Sequence, residues 1–258
     1  MKTDAERFAK ADAGRYANPC TPTIGGMRLN ATAHIDFSAE SEPLLLMFHG
    51  YGNDETEMIR VIDAVYRNGS EPSFLSFAAP HLRPYLGGRY WYPDGCSVEE
   101  RRRACRAAGA AVVAMIDAPV FSRRSKVLIG FSQGGYLAYR MVVDHPDLFD
   151  AAVLLSPSFK GERGTVLSCR TRFMLAYGGV DVTIPPADQL TARHVLAQSG
   201  RLVYREYKDM GHAICDREIA DIHDFLHPAG SGVASAVEPT TLFAASHQRM
   251  IGARRGQR

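Results

Sequence analysis

Ser132 stands in the stretch Gly130-Phe131-Ser132-Gln133-Gly134-Gly135. The run Lys126-Val127-Leu128-Ile129-Gly130 reads as a buried strand, and Gln133 to Val143 reads as a helix. A serine with glycine two residues to either side, between a strand and a helix, is the pattern of a nucleophile elbow. The turn is so sharp that side chains at 130 and 134 would clash. It holds the hydroxyl above the sheet edge at a helix N-terminus, where free N–H groups and positive potential suit an oxyanion. The plainer reading is a tight turn with an inert serine. The flanking strand and helix favour the nucleophile.

A serine hydroxyl attacks a carbonyl when a base takes its proton, and that base needs an orienting carboxylate. Along the chain, a serine on such an elbow is followed by the acid and then by the histidine. The histidines after Ser132 are His145, His194, His212, His223, His227 and His247. His194 and His223 fall in helical patterns, His247 in the last residues, and His145 beside Pro146 after the serine's helix. His212, in Asp209-Met210-Gly211-His212, lies after a strand and before the last helix, where the base belongs. The acid belongs at the C-terminal end of the preceding strand. Phe173 to Tyr177 is followed by Gly178-Gly179-Val180-Asp181, which selects Asp181. Asp209 would share the base's own loop, and Asp144, Asp147 and Asp150 cluster at the far end of the serine's helix.

An oxyanion hole needs two backbone donors. One is the N–H of Gln133, the residue after the nucleophile. The other belongs to the loop after an early buried strand. His49-Gly50-Tyr51-Gly52 supplies it, with Tyr51 N–H as the donor and glycines on both sides to let it turn inward. His49 itself reads as a buried structural residue rather than a second base.

These residues need a frame, and the chain alternates strand and helix patterns to give one. Ala31 to Phe37 alternates like an edge strand. Leu44 to Phe48, Phe74 to Ala78, Ala151 to Leu155 and Arg172 to Tyr177 are short apolar runs of the kind buried on both faces of a parallel sheet. Leu202 to Tyr207 is a further strand. Helices are expected over Glu55–Tyr66, Val98–Ile116, Ala187–Gln198 and Ile214–Leu226, the first capped by Asn53 or Asp54. His81 to Gly95 reads as a long loop. The alternation predicts a mostly parallel central sheet with helices on both faces. Residues 1–30 read as an N-terminal arm, 31–227 as one α/β domain and 228–258 as a polar mobile tail, with a weak helical signal at 241–245.

Composition narrows the function. The chain has 258 residues, 46% hydrophobic and 22% charged, with net charge +2. That balance asks for no nucleic acid, and the runs Arg101-Arg102-Arg103 and Arg254-Arg255 read as solvated surface. No apolar run approaches the ~20 residues of a membrane span, so no stable membrane insertion is expected. The first residues lack the apolar core of a signal peptide. Five cysteines at wide spacing, without a Cys-x-x-Cys, suggest reduced thiols, no metal site and a cytoplasmic protein. Nothing in the sequence sets the oligomeric state.

Four separated segments agree: His49 to Asp54, Gly130 to Gly135, Asp181-Val182-Thr183-Ile184-Pro185 and Gly211-His212. Together with Gly88-Arg89-Tyr90-Trp91-Tyr92 they resemble the phospholipase/carboxylesterase family, which includes acyl-protein thioesterases and small bacterial carboxylesterases. The resemblance spans Leu44 to Leu226. It implies the α/β-hydrolase fold, a Ser132–His212–Asp181 triad, a Tyr51 and Gln133 oxyanion hole, and Trp91 on the substrate pocket wall. It also implies a small-molecule ester or thioester substrate and no cofactor. Two other readings share this sequence. One is a peptide or amide hydrolase, or an acyltransferase, on the same triad. The other is a non-catalytic binding protein on the hydrolase fold.

Overall fold

A computed structural model describes residues 17–20, 23–24, 27–67 and 69–228. Its elements run β1 (Ala17–Cys20), β2 (Thr23–Ile24), β3 (Met27–Arg28), β4 (Asn30–His34), β5 (Leu44–Phe48), α1 (Glu55–Val65), β6 (Phe74–Ala78), β7 (His81–Leu82), β8 (Arg89–Tyr90) and α2 (Val98–Ile116). There follow β9 (Lys126–Phe131), α3 (Gln133–Asp144), β10 (Ala151–Leu155), β11 (Arg172–Gly178), α4 (Pro186–Ala197), β12 (Leu202–Tyr207) and α5 (Asp216–Leu226).

The main sheet has the order β1-β4-β6-β5-β9-β10-β11-β12. From β6 to β12 neighbouring strands are parallel, while β4 and β1 add antiparallel at one edge. β5, β6, β9 and β10 are buried along their whole length, as strands covered on both faces must be. One face packs on α2, α3 and α4 through Ala108, Val112, Leu137, Tyr139, Val195 and Leu196. The other packs on α1 and α5 through Met58, Ile62, Ile222 and Phe225. The register puts the C-terminal ends of β5, β9, β10 and β11 side by side, and the loops leaving those ends carry residues 49–53, 132, 156–158 and 179–184.

Helix starts follow local chemistry. Asp54 caps α1, its carboxylate accepting Thr56 N–H at 3.0 Å. α2 opens with a capping box: Ser97 Oγ accepts Glu100 N–H at 3.2 Å and Glu100 accepts Ser97 N–H at 2.9 Å.

Two expectations need revision. Part of the 1–30 arm belongs to the sheet, because β1 pairs with β4. The loop His81–Gly95 contains an antiparallel hairpin, β7 with β8. Two-residue strands are too short for a periodic signal, and their pairing is a tertiary fact. The hairpin leans on the 49–53 loop: Gly52 N–H donates to the Arg89 carbonyl and Arg89 N–H to the Asn53 carbonyl, both at 2.8 Å. Gly88 approaches so closely that a Cβ there would lie 1.9 Å from the Gly52 carbonyl oxygen. Residues 229–258, including the helical signal at 241–245, lie outside the described residues.

Among the described residues no helix is long and apolar enough to cross a membrane. No group of three or more His, Cys, Asp or Glu side chains among them is placed to hold a metal. Cys96, Cys105, Cys169 and Cys215 are unbridged.

Candidate active site

The turn between β9 and α3 places Ser132 at φ 52°, ψ −111°. That left-handed backbone is costly for a non-glycine residue and persists where the surroundings over-determine it. Here Ser132 N–H is fixed to the Leu155 carbonyl at 2.8 Å, and the helix begins at once with Tyr136 N–H on the Ser132 carbonyl at 3.1 Å. The flanking glycines are required by contact. A Cβ on Gly130 would lie 2.3 Å from the Gly134 carbonyl oxygen, and one on Gly134 2.0 Å from that of Phe48.

His212 arrives on the loop between β12 and α5, 80 residues from Ser132 in sequence, with its Nε2 2.9 Å from Ser132 Oγ. Its Nδ1 lies 2.8 Å from Asp181 Oδ2. Asp181 is held in turn by the chain that follows it, its Oδ1 accepting Thr183 N–H at 2.8 Å and Ile184 N–H at 3.1 Å. The carboxylate is fully buried while the imidazole keeps 19% of its side-chain surface exposed. The carboxylate is thus shielded behind the imidazole, which is the group open to the cavity side. The His212 ring also packs on Phe131, centroids 5.0 Å apart. Gly178 makes room for the histidine loop, since a Cβ there would lie 2.1 Å from the Met210 carbonyl oxygen and 2.3 Å from that of Gly211. The competing residues stay away: Asp209 and His194 are exposed, and His223 stacks on His227 at 4.6 Å.

The two expected oxyanion amides sit beside this array. Neither Tyr51 N–H nor Gln133 N–H meets a protein acceptor among the described residues. The 49–53 loop is pinned from three directions. Glu57 Oε2 accepts Gly50 N–H at 2.8 Å, the hairpin pairs with Gly52 and Asn53, and His49 anchors the base of the loop. His49 is fully buried. Its Nδ1–H donates to the Gly50 carbonyl at 2.7 Å, and its Nε2 accepts Ala79 N–H at 3.1 Å. Burial pulls its pKa down to about 4 against the opposing pull of the Gly50 carbonyl, so the ring is neutral and committed to structure. The Tyr51 side chain points away to solvent, against Tyr90 and Arg83.

Trp91 is a correction. It lines neither the cavity at Ser132 nor the one beside His212, and it is 1% exposed. Its indole N–H donates to the His49 carbonyl at 2.9 Å and its ring meets Phe48 edge-on at 5.6 Å. An isolated sequence cannot tell a core tryptophan from a pocket one; here a buried carbonyl at the end of β5 gives the indole its partner. Trp91 therefore supports the 49–53 loop from below.

One cavity holds Ser132 and a second lies beside His212. The first, of about 260 Å³, is lined by Tyr92, Arg101, Ser132, Gln133, Ser158 and Ile184 among others. The second, of about 460 Å³, is bounded by Glu57, Phe131, His212 and Ile214 among others. Sequence reasoning missed Arg101, read as solvated surface, because nothing local distinguishes it from Arg102 and Arg103. It also missed the Gln133 side chain, whose Oε1 accepts Trp91 N–H and whose Nε2 donates to the Tyr92 carbonyl, both at 3.0 Å.

Residues 32–229 match the family model for phospholipase/carboxylesterase. An uncharacterized hydrolase of Mycosarcoma maydis is 25% identical over 155 residues, 55% of this chain and 59% of that protein, so the match spans little more than half of the relative's length. In fold, the chain is similar to the carboxylesterase of Mesorhizobium loti (TM-score 0.63, 20% identity, 80% of this chain and 98% of that one). It is similar also to the carboxylesterase of Bacillus cereus (TM-score 0.65, 20% identity, 78% and 94%). The fold, the elbow geometry and a family match over most of the chain agree, and the protein belongs to the phospholipase/carboxylesterase family of α/β-hydrolases.

Proposed function

We propose that the protein hydrolyses carboxylic esters through an acyl-enzyme on Ser132. The observation that carries this reading is the relay Ser132 Oγ–His212 Nε2 at 2.9 Å and His212 Nδ1–Asp181 Oδ2 at 2.8 Å, set on a strained elbow. Ser132 attacks the ester carbonyl while His212 takes its proton. Asp181 holds the tautomer with Nδ1–H and stabilises the imidazolium. The oxyanion is met by the Tyr51 and Gln133 amides, each such donor being worth about 3–4 kcal/mol in the transition state. His212 then protonates the leaving alkoxide. Water, deprotonated by His212, attacks the acyl-enzyme and frees the acid and Ser132. The balance is ester plus water to acid plus alcohol, and the steps use side chains and backbone alone.

The same array accepts a thioester, whose thiolate leaves without needing His212 as acid. Both substrate types therefore belong in the test panel.

The deciding experiment compares wild type and Ser132→Ala on a short-chain p-nitrophenyl ester, with a fluorophosphonate probe as a second readout. Hydrolysis and labelling should both disappear in the variant. Activity retained without Ser132 overturns the assignment. Failure of the intact protein to react with the probe favours a non-catalytic binding protein.

A further inference from the structure

Arg101 and Arg102 are adjacent on α2, and the fold treats them differently. Arg102 Nε pairs with the fully buried Glu162 carboxylate at 2.9 Å, and Arg140 of α3 reaches the same carboxylate at 3.4 Å. Arg101 is buried too, at 7% exposure, yet it has no carboxylate partner among the described residues. Its contacts are neutral. Nη1 reaches Ser158 Oγ at 3.5 Å, Nη2 donates to the Lys160 carbonyl, and the guanidinium lies 3.9 Å over the Tyr136 ring. Its buried Nε–H has no acceptor at all.

A buried charge without a counter-charge costs several kcal/mol. A guanidinium carries five N–H donors in a fork matched to carboxylate geometry. Arg101 spends few of them on the protein and faces the 260 Å³ cavity that also holds Ser132. Lys160, exposed, lines the same cavity. The acid on that wall, Asp94, is exposed and turned to the backbone, its Oδ1 accepting Gly95 N–H at 3.0 Å.

The cavity that holds Ser132 is the one that holds Arg101. His212 delivers its proton to the leaving oxygen, so the alcohol lies on the His212 side of Ser132 and the acyl group lies on the Arg101 side. Resting on the esterase reading of Ser132, we propose that Arg101, with Lys160 at the rim, binds a carboxylate at the far end of a short acyl chain, and that the substrates are half-esters of short dicarboxylic acids. The anion supplies the counter-charge that the fold withholds from Arg101. Hydrolysis then converts half-ester plus water into dicarboxylate plus alcohol.

The test compares monoethyl succinate with ethyl butyrate, which has a methyl group where succinate has its carboxylate. Ethanol release is measured for wild type, Arg101→Gln and Lys160→Ala. Wild type should prefer the succinate ester. Arg101→Gln should lower kcat/KM for it by about tenfold or more, the weight of a charge-assisted hydrogen bond, with a change of less than about threefold for butyrate. Lys160→Ala should lower the same ratio less. Free succinate should slow fluorophosphonate labelling of wild type and not of Arg101→Gln. An equal fall on both esters, or a wild type that prefers butyrate and is not protected by succinate, overturns the proposal while leaving Ser132 as nucleophile. If Arg101→Gln does not fold, Lys160→Ala and succinate protection of wild type decide: an unchanged ratio together with no protection overturns it. A protein that the probe does not label fails earlier, at the esterase reading.

Discussion

The side chain of Gln133 grips the backbone on either side of the Trp91–Tyr92 peptide, accepting from Trp91 N–H and donating to the Tyr92 carbonyl at 3.0 Å each. Gln133 is the residue after Ser132, and its N–H is one of the two proposed oxyanion donors. Its amide group ties the turn at Ser132 to the segment just after β8 that carries Trp91, whose indole in turn holds the His49 carbonyl at the root of the 49–53 loop. The two expected oxyanion donors, 82 residues apart in sequence, are linked through Gln133, Trp91 and His49.

Removing that grip should cost both stability and catalysis. Gln133→Ala leaves a buried N–H and a buried C=O unmatched, each worth about 1–3 kcal/mol. The melting temperature should fall, and kcat should fall further than KM rises, because the loop bearing Tyr51 N–H loses its support. Equal kcat in variant and wild type would refute the link.

Trp91→Phe separates support from substrate contact. It keeps the ring in the core but deletes the indole N–H bond to His49, for a loss of about 1 kcal/mol in stability. Relative rates across acyl chain lengths should stay as in wild type, since Trp91 lines neither cavity. A changed chain-length profile at unchanged stability would place Trp91 against substrate after all.

Asp181→Asn should preserve the fold and lower kcat by about three to four orders of magnitude, the scale seen when a triad histidine is held in the wrong tautomer. The Thr183 and Ile184 amides on Oδ1 can remain, so a melting curve close to wild type is expected beside the lost rate.

Glu162 holds α2, α3 and the 162–165 turn together. It accepts from Tyr136 at 2.7 Å, Tyr139 at 3.0 Å and Thr165 at 2.8 Å, besides Arg102 and Arg140. Burial alone would raise its pKa. The Arg102, Tyr136 and Thr165 hydrogen bonds and the Arg140 charge outweigh burial and bring it to about 2. Glu162→Gln should destabilise by about 3 kcal/mol, read by urea denaturation, because it removes the counter-charge of Arg102 and leaves Arg140 with Asp144 alone.

Glu218, in the first turn of α5, makes the opposite contribution. Both its oxygens are buried, and burial pushes its pKa to about 8 against the opposing pull of the Cys215 N–H, with Asp221 adding repulsion. The folded state therefore holds a proton that the unfolded chain releases near 4.5. Stability falls as pH rises from about 4.5 to about 8 and levels off above it, by a few kcal/mol in all. Glu218→Gln should flatten that dependence and raise stability at pH 8. A variant as pH-sensitive as wild type over this window would remove Glu218 as the cause.

The alternation of runs and helical patterns, and the local signals at Ser132, Asp181 and His212, were legible in the chain by itself. A glycine two residues either side of a serine, or an acid and a histidine just past strand ends, are short-range facts. The strand β9, the helix α3 and the chain order of the three residues rest on them. The tertiary structure decided what depends on distant neighbours. It drew Trp91 into the core, because the carbonyl that satisfies its indole belongs to a strand end 42 residues away. It turned Gln133 from an amide donor into a clamp. It also left Arg101 beside Ser132 without a counter-charge while Arg102, one position on, received Glu162 from 60 residues downstream. Burial and pairing across such separations are set by packing, and three adjacent arginines look alike until the fold has chosen their neighbours.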